Sequence, residues 1–127
     1  MILGLGVDIV EVGRMARILK RYPKRFLERV FTQAERELIL SRPESHLYAA
    51  AFFAAKEACS KALGTGLRGI SWKEMEIGHH PTGKPFIVLT GGAQKRFQTM
   101  GGKSLHLSLS HERTHAVAVV IIEGEGL

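Results

Sequence analysis

Nine consecutive apolar residues, Leu47 to Ala55, run directly into Lys56, Glu57, Ala58, Cys59, Ser60 and Lys61. The pattern predicts a long and mostly buried helix from about His46 to Leu63, against which the rest of the chain has to pack. At 3.6 residues per turn Lys56, Glu57, Ser60 and Lys61 share one stripe of that helix. Glu57 and Lys61 stand i,i+4 in the favoured order, yet such a pair adds only about 0.2–0.5 kcal/mol to a helix. Desolvating an ion costs roughly several kcal/mol. Helix stability therefore does not explain the charges. Either the stripe faces water, or it faces a cleft where a carboxylate and an ammonium have chemistry to do.

The 127 residues suit one domain, 1–127, with a modest core. No apolar stretch reaches the eighteen or so residues of a membrane helix, so no membrane association is expected. The N-terminal Met-Ile-Leu-Gly-Leu-Gly-Val-Asp has no basic region ahead of its apolar run and does not read as a secretion signal. Cys59 is the only cysteine, which excludes an internal disulfide and fits a cytoplasmic protein. The net charge of +6 points to an acidic partner. Arg14, Arg17 and Arg21 line one helix face, continued by Lys24 or Arg25, with no acid between Arg14 and Arg25. That stripe reads as a docking surface. It could equally serve a non-enzymatic nucleic-acid-binding module, but it lacks interleaved aromatics for stacking bases.

Residues 2–10 alternate as a strand. Leu3, Leu5, Val7 and Ile9 form the face expected to be core, whereas Ile2, Gly4, Gly6, Asp8 and Val10 form a nearly bare face that another group can approach. A helix is expected over Val12–Tyr22, ended or restarted by Pro23. Thr32 with Glu35 predicts a capping box opening a helix to about Ser41. Gly64 suits the end of the long helix. Strands are expected over 72–78, 85–89, 104–110 and 116–122, with a short helix over 91–99. The last strand is apolar on both faces, which fits a central or an interface strand.

Asp8 is the only aspartate among twelve acidic residues. Asp8 and Glu57 form a candidate pair for a hard divalent ion, which needs one or two carboxylates plus water and substrate phosphates. Asp8 with Glu11 also fits a capping box, and periodicity cannot show that Asp8 and Glu57 meet. Ser104, His106, Ser108 and Ser110 point one way along their strand, with His111 at its end, where function often collects. His79 to Pro85 reads as a hairpin turn carrying Lys84, without the Gly-rich loop of a Walker motif.

Together these segments resemble the holo-acyl-carrier-protein synthase family of phosphopantetheinyl transferases. The resemblance lies in Gly-Val-Asp-Ile-Val-Glu-Val-Gly-Arg (6–14) and Phe-Ala-Ala-Lys-Glu-Ala-Cys-Ser-Lys-Ala-Leu-Gly (53–64). Gly-Lys-Pro (83–85) and Leu-Ser-Leu-Ser-His (107–111) follow in the same order. One departure is His80-Pro81-Thr82, where relatives often carry Asn. The resemblance implies an α+β fold with a small antiparallel sheet packed on a long central helix. It also implies a homotrimer with sites between subunits. The implied reaction moves the phosphopantetheine arm of coenzyme A to a serine of an acidic apo acyl carrier protein, in support of fatty acid biosynthesis. Asp8 and Glu57 would hold Mg2+ and Lys61 would sit near the phosphates, these three being the catalytic set. Lys61, Gly64, Gly83, Pro85, Ser108, Ser110 and His111 would line the coenzyme A site. Arg14, Arg17, Arg21 and Arg25 would dock the carrier, and no nucleic acid would be bound.

Overall fold

The computed structural model describes residues 1–125. It has an α+β architecture with two antiparallel sheets. Strand β1 (Ile2–Glu11) leads into helices α1 (Val12–Arg21), α2 (Pro23–Val30), α3 (Gln33–Leu40) and α4 (Ser45–Ala62). A single 3-10 turn at Trp72–Glu74 precedes strands β2 (Met75–His79) and β3 (Pro85–Leu89). Helix α5 (Gly91–Thr99) and strands β4 (Gly102–His111) and β5 (His115–Gly124) complete the order. One sheet runs β1-β5-β4, and β2 pairs with β3 alone.

The local signals act where physical chemistry puts them. Pro23 restarts the chain as the first residue of α2, where its missing N–H costs nothing. The Thr32 hydroxyl accepts the Glu35 backbone N–H at 3.3 Å while the Glu35 carboxylate accepts that of Thr32 at 2.9 Å, so α3 opens with the expected capping box. Asp8 caps nothing: it lies within β1, and α1 begins at Val12, with Glu11 at its N-cap and no side-chain cap.

Helix α4 is seated on the inner face of the three-stranded sheet. Ala116, Ala118, Val120 and Ile122 of β5 point toward it and are fully buried, as are Ala54, Ala55 and Ala58 of the helix. On β1 the expected core face is reversed. Leu5, Val7 and Ile9 are 63%, 54% and 61% exposed, whereas the glycine side faces α4. A Cβ on Gly4 or Gly6 would collide with the carbonyls of Ala62 or Ala58. Apolar alternation marks Leu5, Val7 and Ile9 as the buried side only if burial comes from side chains. Here burial comes from two backbones in contact, which needs glycine. The consequence for Asp8 is direct: it shares the glycine face and points toward α4. The displaced apolar residues form one outer surface with their register partners Ile121, Val119 and Val117 on β5.

Candidate active site

The polar stripe of α4 divides. Lys56 is fully buried and pairs with Glu35 at 2.9 Å. Ser60 is buried as well, its hydroxyl donating to the Glu57 carbonyl at 2.8 Å. The expectation that these four residues face one medium is therefore corrected. They span enough of the helix circumference for one edge to enter the core. Glu57 and Lys61, on the other edge, reach the surface beside β1.

There Lys61 donates to Asp8 Oδ1 at 3.1 Å and to the Val7 carbonyl at 3.0 Å. It forms its ion pair with Asp8, not with Glu57 one turn before it. Glu57 stands close enough to feel both groups. Burial, then the neighbouring Asp8 carboxylate, push its carboxyl above the usual glutamate range, and Lys61 pulls it partly back. Two acids distant in sequence thus come near each other, with Lys61 paired to one of them and felt by the other. Both line a cleft of about 660 Å³ whose apolar wall includes Met15, Ile18, Phe26 and Phe53, with Glu11, Arg14 and His115 also lining it.

No group of three or more His, Cys, Asp or Glu side chains among the described residues is arranged to hold a metal ion. Asp8 and Glu57 make a two-carboxylate set. That donor set fits magnesium, which keeps several waters and shares its coordination with substrate phosphates, and does not suit a fully protein-ligated cation. Cys59 is sealed in the core, and burial raises its thiol to about 12, so it is no nucleophile at neutral pH.

The other expected site residues lie elsewhere on the chain. Gly64 follows α4 with φ of 79°, next to the Leu63 carbonyl that accepts from Arg96 Nε at 2.8 Å. Gly83, with φ of 93°, lies in the β2–β3 turn, closed by the Gly83 N–H on the His80 carbonyl at 2.8 Å, and Pro85 opens β3 opposite His79. Ser108 and Ser110 pair with Val119 and Val117, hence project from the outer face of the sheet, opposite to Asp8. His111 packs beside Tyr48 at a ring separation of 6.4 Å. From Tyr48 to Glu57 the helix rises about 13 Å. One copy of the chain therefore does not gather Ser108, Ser110 and His111 around Asp8 and Glu57. Arg14, Arg17, Arg21 and Arg25 are all exposed, Arg14 on the cleft wall and Arg17 paired loosely with Glu11 at 3.4 Å.

Sequence reasoning passed over two groups. Arg42 lies over the Tyr48 ring at 5.2 Å and helps hold the His79 imidazole below its usual range, though burial of His79 is the larger cause. Tyr48 also packs beside His111, and only folding brings these residues together. Phe26 and Phe53 carry no local sign that they border a cleft instead of filling the core.

A family model for the 4'-phosphopantetheinyl transferase superfamily matches residues 4–120. The chain belongs to that superfamily. It is 51% identical over 125 residues to a holo-[acyl-carrier-protein] synthase of Treponema denticola, covering 98% of this chain and 100% of that one. The crystal structure of a holo-[acyl-carrier-protein] synthase from Neisseria meningitidis superimposes with a TM-score of 0.90 at 36% identity, over 97% of this chain and 99% of that one. The Helicobacter pylori enzyme in complex with coenzyme A gives 0.83 at 34% identity, over 94% and 99%. The four motifs of the family resemblance thus lie in a chain that matches the superfamily in sequence and its relatives in fold.

Proposed function

We propose that this chain is a magnesium-dependent holo-acyl-carrier-protein synthase serving fatty acid biosynthesis. The observation that carries this reading is the meeting of Asp8, Glu57 and Lys61 beside one half-open cleft. The serine oxygen of the carrier attacks the phosphorus next to the pantetheine arm. A new O–P bond forms, the bridging P–O bond of the diphosphate breaks, and adenosine 3',5'-bisphosphate leaves with the electron pair. Such a transfer asks the protein for position and charge neutralisation more than for covalent help.

Asp8 and Glu57 would hold magnesium, and the chemistry supplied there would be polarisation of the phosphoryl oxygens and neutralisation of the leaving group's charge. Lys61 holds the Asp8 carboxylate and supplies a second positive charge at the phosphates. A carboxylate of the pair, directly or through water, would receive the serine proton. Arg14, Arg17, Arg21 and Arg25 form the landing surface for an acidic carrier. Arg14 links that surface to the cleft.

The working assembly in this reading is a homotrimer with sites between subunits. Two features support it. The outer face of β1 and β5 exposes Leu5, Val7 and Ile9 in a contiguous apolar surface. Ser108 and Ser110 border that surface, on the side of the sheet away from Asp8, so a second copy is needed to bring them to the coenzyme. Val7→Asp is expected to dissociate the assembly in sedimentation velocity and to abolish transfer. An unchanged sedimentation coefficient rejects this face as the interface.

Mass spectrometry of an apo carrier incubated with coenzyme A, magnesium and this protein tests the activity. One added phosphopantetheine is the expected product. No mass gain with several different carriers rejects the reading.

A further inference from the structure

The Lys56–Glu35 pair has no part in the chemistry above, yet Lys56 directly precedes Glu57. Its ammonium has three protons and three acceptors: Glu35 Oε1 at 2.9 Å, the Trp72 carbonyl at 2.9 Å and the Met75 carbonyl at 2.8 Å. Glu35 in turn accepts the Thr32 N–H at 2.9 Å and the Ile77 N–H at 2.7 Å. One dry knot therefore ties the start of α3, the middle of α4 and strand β2. Both side chains are fully buried.

Stability alone is a poor reason for such a knot, because well-packed apolar residues often replace a buried ion pair without loss. Orientation is a better one. Side-chain ridges lock one element onto another, and where α4 meets β1, the strand that carries Asp8, alanines face glycines, the lowest ridges available, so Val120 and Ile122 of β5 are left to supply the side-chain ridges from the sheet. Backbone in contact with backbone resists separation well and rotation poorly. A helix with side chains is about 10–12 Å wide, so a 20° turn about its axis carries a carboxylate on its rim about 2 Å. A displacement of about 1 Å at a reacting group can cost a hundredfold in rate.

We infer that Lys56 and Glu35 are positioning residues: their buried pair sets the rotation of α4 that brings Glu57 and Lys61 to Asp8. The inference rests on the proposed function of that site. It predicts that the pair can be removed with the fold kept and the site spoiled. The double variant Glu35→Gln with Lys56→Met leaves no buried charge. It is expected to melt cooperatively, though below the unsubstituted protein, because the Trp72 and Met75 carbonyls lose their donor and one backbone N–H loses its acceptor. Its kcat should fall about a hundredfold, and Mn2+, titrated in the presence of coenzyme A and followed by electron paramagnetic resonance, should bind about tenfold more weakly. The KM for carrier should not change, since the docking arginines stand on α1 and α2. A merely structural pair would shift melting and leave kcat and Mn2+ affinity alone.

Should the double variant fail to fold, Glu35→Asp, which keeps the buried charges of opposite sign but shortens the carboxylate's reach by one methylene, carries the same readout with a smaller loss in the same direction. A folded variant with native kcat and native Mn2+ affinity overturns the inference. An unsubstituted protein that neither transfers phosphopantetheine nor binds Mn2+ overturns the proposed site and this inference together.

Discussion

Helix α4 carries two lysines little more than one turn apart, and each is paired with an acid from another element. Lys56 has every proton accepted, its partner Glu35 is equally satisfied, and neither touches water. The Lys61 side chain is 51% exposed, that of its partner Asp8 is 19% exposed, and Glu57 nearby has no ion pair among the described residues. The same charge types serve opposite purposes. A saturated cluster can only hold, whereas an unsaturated one at a cleft has lone pairs left for a cation or a substrate.

The largest test of that contrast is removal of the open acids. Asp8→Ala or Glu57→Ala should leave a folded protein whose turnover falls more than about a hundredfold, which is roughly 2.7 kcal/mol of transition-state stabilisation. Full activity in either variant with saturating magnesium would break the assignment. Next comes the stability contrast between the lysines. Lys56→Met alone strands the Glu35 charge in the core and should cost about 3–5 kcal/mol in chemical denaturation. Lys61→Met removes an exposed partner and should cost no more than about 1 kcal/mol, while depressing kcat. Equal destabilisation by the two would erase the distinction.

A smaller effect follows from the proton affinity of Glu57. Its folded pKa lies above the unfolded one, so its ionised form opposes folding once pH exceeds the raised value. That penalty is absent below the ordinary glutamate range. Glu57→Gln should therefore melt higher than the unsubstituted protein near neutral pH without metal, and the gap should close on acidification. A gap that widens toward acid pH reverses the sign and rejects the environment described for Glu57. The gentlest perturbation is at the rim. Arg14→Glu or Arg21→Glu should slow carrier association and weaken its salt dependence in stopped-flow measurements, because exposed charges act mainly on encounter. A change confined to coenzyme A affinity would remove the docking role.

Much of the architecture was legible before folding. The Thr32–Glu35 box, Pro23 at a helix start, the long apolar helix and the alternation at 104–110 are short-range signals whose physics is complete within a few residues. The site was legible only as a set of candidates. Asp8 and Glu57 each had a bland alternative, and the capping role of Asp8 fell away once β1 was seen to contain it. Two readings failed for a common reason. The outward Leu5–Val7–Ile9 face and the buried Lys56 both depend on which neighbour arrives, and hydropathy measures a residue's preference without knowing its neighbour.

The chain's order of residues was enough to specify helices, strands, turns and the motif set of a phosphopantetheinyl transferase, since caps, periodicity and spacing act over one or two turns. Tertiary packing alone decided which side of β1 is inside, which lysine is buried, and that two distant acids share a cleft. The first and last follow from two backbones meeting at Gly4 and Gly6, and the burial of Lys56 from the arrival of Glu35 and β2, contacts no local pattern encodes.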